Sequence, residues 1–258
     1  MKWVIRADDS KKLAASFFTG LGAELPVPTP IPASLKTKVA QIVLWNLLVM
    51  IAVLFLPAGT FRFWQAWALI GASSACPLGV AIYFYRHDPQ ALARRTLRTE
   101  RIGAQKLIML FSKALYAFCF ILAGLDFRFG WTRTHLRPVP CWLSIAALGV
   151  IVLTEFWFIA VMRANRFGSS IIQVEEGQSV AFTGPYRLVR HPMYAGWIVR
   201  WFATPLALGS LVALPAFCLI IPIFALRLLN EEKFLKRELP GYSEYCRQTR
   251  WRLVPYIW

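Results

Sequence analysis

The chain has 258 residues, 57% of them hydrophobic and only 16% charged, against about 25% charged in a soluble domain. Its apolar residues gather in blocks close to the roughly 20 that a membrane-crossing helix needs, which excludes an ordinary soluble domain. The net charge of +16 does not call for nucleic acid, because the basic residues flank apolar blocks and form neither one stripe nor an aromatic-interleaved platform.

In chain order, residues 1–24 mix Trp3, Leu13, Phe17 and Phe18 with Lys2, Arg6, Lys11 and Lys12. They read either as an amphipathic helix on the membrane surface or as a loosely ordered tail. The alternating prolines Pro26, Pro28, Pro30 and Pro32 forbid helix and give an extended linker. The polar, proline-bearing stretch before the first apolar block is unlike a cleavable signal peptide.

Spans are expected at 39–56, ending in Pro57-Ala58-Gly59, and at 64–85, where Pro77 predicts a kink. A basic loop, 86–106, leads to spans at 107–125 and 142–162, then to a polar segment at 163–193. Two apolar helices, 194–208 and 211–229, follow, joined at Gly209-Ser210. The first is only about 22 Å long at 1.5 Å per residue, so five and six spans are both open. The tail from Asn230 is polar and reads as helix up to Pro240-Gly241. The expected fold is an all-α, polytopic transmembrane helix bundle in three parts: an N-terminal segment 1–38, helices over 39–162, and a catalytic region 163–258 comprising the helical hairpin and tail.

Lys/Arg asymmetry orients the bundle. Lys36, Lys38, the arginines of 86–106, Arg163, Arg187, Arg190 and the basic tail collect on one side, and Arg62, Arg128, Arg133 and Arg137 on the other. Both termini and the polar segment are therefore expected to be cytoplasmic.

The five cysteines include no CxxC and read as small buried hydrophobes. His87, His135 and His191 do not cluster, so no metal site is expected. Lys113, Glu155 and Arg200 fall inside apolar blocks, where a charge is costly. They either pair and lock the bundle or mark function.

Chemistry concentrates between Gln173 and Tyr194. Gly184-Pro185 marks a turn, and Tyr186, Arg187, Arg190, His191 and Tyr194 follow within nine residues. Pro192 suits the first position of a helix, whose free N–H groups attract an anion. The competing reading is a basic loop holding phosphates. Some forty residues on, Arg227 and Glu231 share a helix face at a spacing of four, with Glu232 beside them. Since the two apolar helices form a hairpin, both clusters fall at one membrane face.

These strings resemble the isoprenylcysteine carboxyl methyltransferase family, related to phospholipid methyltransferases. The resemblance rests on Gly184-Pro-Tyr-Arg-Leu-Val-Arg-His-Pro-Met-Tyr-Ala-Gly196 and on Arg227-x-x-x-Glu231-Glu232. It also includes Gly241-Tyr-x-x-Tyr245 and Arg250-Trp-Arg-Leu-Val-Pro255. It covers about residues 165–258. A bare RHPxY also occurs in membrane sterol reductases, which makes an NADPH-dependent reductase the alternative of another class.

The resemblance implies S-adenosylmethionine as cofactor, bound by Gln173, Gln178, Ser179, Val180, Ala181, Tyr186, His191, Pro192, Met193, Tyr194 and Glu231. Glu231 suits its ammonium, His191 its carboxylate, and Val180 and Ala181 its adenine. Arg227 corresponds to the position that holds a substrate carboxylate. An amine acceptor would need a base instead, for which Glu232 is the candidate. The implied partner is a lipid or lipidated small molecule entering from the bilayer.

Overall fold

The computed structural model describes residues 35–96, 103–165 and 178–258. The expected surface helix at 1–24, the proline linker and Gln173 lie outside the described residues. Every regular element among the described residues is helical: α1 (Leu35–Ala58), α2 (Trp64–His87), α3 (Pro89–Thr96), α4 (Gly103–Phe129), α5 (Trp131–His135), α6 (Cys141–Ala164), a 3-10 turn (Gly184–Arg187), α7 (Pro192–Ala207), α8 (Leu214–Cys218), α9 (Ile220–Glu238) and α10 (Tyr242–Gln248).

Five helical stretches are long and apolar enough to cross a membrane: Leu35–Ala58, Trp64–His87, Lys106–Phe129, Cys141–Ala164 and Leu214–Glu238. Helix α7, with 16 residues, reaches about 24 Å, short of a hydrocarbon core of about 30 Å, and is not among the five. Helix α6 is the most enclosed of the five and packs against α2 and α7.

Several boundaries differ from those expected, for local reasons. Pro57 is carried inside the last turn of α1, which closes one residue later with Gly59 at φ +66°; only glycine takes that conformation without strain. Part of the basic loop folds as α3, led by Pro89 at its first position. The second helix of the hairpin breaks at Leu219 into α8 and α9. Helix α9 then runs unbroken from apolar sequence into the polar tail and stops at Glu238, two residues before Pro240, since proline disfavours helix in the residue preceding it.

Two groups of contacts define the ends of the bundle. At one end Leu35, Phe84, Leu92 and Met162 form a buried cluster with Met193 packed against it, gathering the start of α1 and α7 with the ends of α2 and α6. At the other end the buried carboxylate of Asp126 accepts from Thr132 N (2.7 Å), Thr132 Oγ1 (2.5 Å) and Ser210 Oγ (2.5 Å). The Thr132 hydroxyl in turn accepts from Leu211 N (3.0 Å) and Val212 N (3.2 Å). The turn between α7 and α8, where Gly209 adopts φ +71°, is thereby fastened to the end of α4.

Of the three charges inside apolar sequence, two pair. Arg200 Nη1 donates to Glu155 Oε1 at 2.6 Å, and its Nη2 donates to Ser73 Oγ at 2.9 Å, tying α7 to α6 and α2. Lys113 is exposed.

Where helices approach most closely, glycine is required. A Cβ at Gly196 would lie 2.7 Å from both the Phe158 and Trp157 rings, so α7 rests directly on α6. A Cβ at Gly124 would lie 2.6 Å from the Leu54 carbonyl oxygen, in the manner of small-residue helix contacts within membranes. Gly124→Ala is expected to force α1 and α4 apart and to cost about 1–3 kcal/mol. Thermal unfolding of the detergent-solubilised variant would show it, with Gly149→Ala, a position with nothing within 4 Å of a Cβ, as the neutral comparison.

Candidate functional site

The site lies at the α3 end of the bundle, where the start of α7, the last turns of α9 and the C-terminal segment converge. Gly184 opens the 3-10 turn at φ +55°, and the buried Pro185 follows it. The chain then reaches His191, the residue capping α7, and Pro192 at the first helical position. Trp157 Nε1 of α6 donates to the Pro192 carbonyl at 2.7 Å, fixing the height of this helix start. Within α7 the N–H groups of Met193 and Tyr194 have no carbonyl one turn back, as in any helix start.

Gly241, at φ +82°, turns the chain into α10, whose Tyr242 and Tyr245 are buried with Leu239; Val180 and Tyr186 pack against them. Tyr245 OH donates to the Tyr186 carbonyl at 2.8 Å. Beyond α10 the chain runs back alongside the helix start: Arg190 N donates to the Trp251 carbonyl (2.8 Å) and His191 N to the Arg252 carbonyl (3.0 Å).

Two polar groups result. In the first, Tyr194 OH donates to Glu231 Oε2 at 2.8 Å and accepts from Arg227 Nε at 2.9 Å, so one hydroxyl joins both charged residues of α9 to α7. In the second, Glu232 is 3% exposed. Its Oε1 lies 3.2 Å from Arg190 Nη1 and 3.3 Å from His191 Nε2, and its Oε2 lies 3.1 Å from Arg252 Nε. Tyr242 OH stands 3.5 Å from His191 Nε2. Burial pushes the Tyr242 phenol well above its ordinary range, and the Glu232 carboxylate adds to the shift. Burial raises Tyr245 in the same way.

Three arginines, Arg190, Arg227 and Arg252, thus face two glutamates, Glu231 and Glu232. Among the described residues, guanidinium groups outnumber carboxylates here. The buried Nε of Arg190 has no hydrogen-bond partner among the described residues.

Of the residues singled out from sequence, the structure gathers His191, Tyr194, Arg227, Glu231 and Glu232 into these two groups. Pro192 is buried at the helix start, and Val180 and Tyr186 lie against the α10 tyrosines. Met193 points away from the polar groups, into the apolar cluster with Leu35 and Met162. Gln178 and Ala181 are half-buried, and Ser179 is exposed.

Sequence reasoning assigned no role to Arg190, Arg252 or Tyr242. Arg190 stood among the charged residues of 184–194, and the other two stood in the closing strings, but no spacing rule connects residue 252 to residue 232.

Residues 145–237 match the isoprenylcysteine carboxyl methyltransferase family. The chain is 32% identical over 121 residues to protein-S-isoprenylcysteine O-methyltransferase A of Arabidopsis thaliana, covering 45% of this chain and 61% of that protein. It is 30% identical over 113 residues to protein-S-isoprenylcysteine O-methyltransferase B of the same plant, covering 42% of this chain and 57% of that protein. The chain therefore spans less than two thirds of the length of these relatives. A delta(14)-sterol reductase of Mus musculus is 27% identical over 157 residues, covering 53% of this chain and 37% of that protein.

Because Tyr242 stays neutral in the folded protein to a higher pH than in the unfolded chain, its contribution to stability is intact through neutral pH. It is lost progressively as pH rises above about 10, the unfolded phenol value. Tyr242→Phe is expected to lower stability modestly near pH 7 and to flatten the alkaline decline. Unfolding midpoints of both proteins measured across that range check the sign.

Proposed function

We propose that the chain is an S-adenosylmethionine-dependent membrane methyltransferase acting on an amphiphilic, lipid-like acceptor. Of the two acceptor types, a carboxylate of the isoprenylcysteine kind is favoured over a phospholipid amine, and the site faces the cytoplasm. The observation that carries this reading is the Tyr194 hydroxyl shared by Arg227 and Glu231, within the segment that matches the methyltransferase family.

The residues present suit the donor. When bound, S-adenosylmethionine supplies an electrophilic methyl group on its sulfonium. Glu231 offers a carboxylate oriented by Tyr194 for an ammonium group. The N–H groups at the start of α7 and the Arg190 Nε, which has no hydrogen-bond partner among the described residues, suit a carboxylate. Val180, beside the α10 tyrosines, offers apolar surface to an adenine.

The acceptor side is favoured by charge and by shape. Arg227 presents a guanidinium for an anionic group. Ile223, one turn before it on the same face of α9, lines an apolar groove of about 370 Å³ with Phe111, Ala114, Leu115, Phe118 and Leu219. A hydrocarbon tail in this groove would lie between α4 and α9 with its polar head towards Arg227. An amine acceptor needs a base, whereas a carboxylate is already ionised at neutral pH. Glu232, already engaged by three cationic side chains or hydrogen-bond donors, is poorly disposed to take a proton. The chain's contribution is therefore to orient two reactants and exclude water, which supplies most of the acceleration of such a displacement.

Binding of S-adenosylmethionine to the protein in nanodiscs, with NADPH as control because of the sterol reductase match, tests the reading. Saturable micromolar binding is expected, weakened at least tenfold in Glu231→Ala. Arg227→Ala is expected to retain the donor while turnover of a prenylcysteine acceptor falls about 10²-fold. Tight NADPH binding with no binding of the methyl donor would sink the proposal.

A further inference from the structure

We propose that Arg252, carried on the C-terminal segment, is a positioning residue: acting through Glu232, it sets the orientation and tautomer of His191, making that segment a working part of the site. This rests on the methyltransferase reading and assigns to Glu232 a role other than that of a base.

The argument begins with the hydrogen-bonding capacity of one carboxylate. Ionised, Glu232 can only accept. Its Oε1 is shared by Arg190 Nη1 and His191 Nε2, and its Oε2 faces Arg252 Nε at 3.1 Å. His191 must therefore present Nε2–H to Glu232, and in the neutral ring this leaves Nδ1 as an acceptor. An acceptor nitrogen is suited to a donor group on a ligand, not to a carboxylate, so the anion-holding role at this helix start falls to Arg190 and the backbone N–H groups.

What holds Glu232 in this pose is the segment after α10. Its backbone accepts from Arg190 N and His191 N through Trp251 and Arg252, and Arg190 Nη2 donates to the Arg250 carbonyl at 3.2 Å. Arg252 adds the side-chain connection to α9. Its guanidinium also lies 5.4 Å from the centroid of the Trp258 ring, so it is held from both sides.

Arg252 is also the member best suited to substitution, because its side chain is 28% exposed while that of Glu232 is 4% exposed. The experiment measures S-adenosylmethionine affinity, kcat and the unfolding midpoint for the full chain in nanodiscs. The variants are Arg252→Ala, Arg252→Lys, Glu232→Gln and the double Arg252→Ala/Glu232→Gln. Arg252→Ala is expected to weaken the donor about tenfold, as loss of a supporting hydrogen bond does at other sites, with the unfolding midpoint close to that of the parent. Arg252→Lys should recover most of that loss, and the double variant should be no weaker than Glu232→Gln alone, the signature of residues acting as one unit.

Arg252→Ala without effect on donor affinity, or losses that multiply in the double variant, would overturn the inference. So would a Glu232→Gln variant that binds donor normally but loses kcat about 10²-fold, which is the behaviour of a base. A loss that tracks the unfolding midpoint and is not recovered by lysine would make Arg252 merely structural. If Glu232→Gln does not fold, the alanine and lysine variants at 252 decide alone. A parent protein that binds no methyl donor would instead overturn the proposed function itself.

Discussion

Glu232 is a carboxylate almost wholly removed from solvent, and such a group is tolerable only when paired and hydrogen-bonded. Its partners come from two separate stretches of chain: Arg190 and His191 from the approach to α7, and Arg252 from the segment after α10. Satisfying this one charge requires α9 to deliver it beside the start of α7 and the chain to return there after α10. The position of Glu231 one residue earlier on α9, and with it the contact to Tyr194, follows from that placement.

The far end of the bundle makes the same demand in a different way. Asp126 engages the hairpin turn through Thr132 and Ser210, so α7 and α8 are held at the end opposite the site. Between the two ends, the Glu155–Arg200 pair joins α7 to α6 and Gly196 lets them touch. Helix α7 is too short to span by itself, yet it is held at both ends and in the middle. A short helix fixed in this way places its first turn, with its free N–H groups, beside Arg227 and Glu231 of α9.

The charge balance of the site separates two kinds of chemistry. A site built to remove a proton needs a carboxylate or imidazole with spare accepting capacity and a pKa near the working pH. Here, among the described residues, the glutamates face arginines and the tyrosines of α10 are held neutral by burial. That arrangement favours holding anions and ammonium groups in place over moving protons.

Much of this was legible from the chain alone. Bilayer thickness imposes blocks of about 20 apolar residues, and such blocks reveal themselves without any partner; the hairpin at Gly209-Ser210 and the placement of Arg227 and Glu231 on one helix face are equally local. The spacing rules fail where partners are distant in sequence. That Glu155 pairs with Arg200 while Lys113 stays exposed, that Met193 points away from the polar groups among which its neighbours His191 and Tyr194 sit, and that Arg252 completes Glu232 were decided by tertiary structure. Each depends on which helices lie side by side and on which face turns inward, and in a bundle those are set by packing between segments rather than by the periodicity within any one of them.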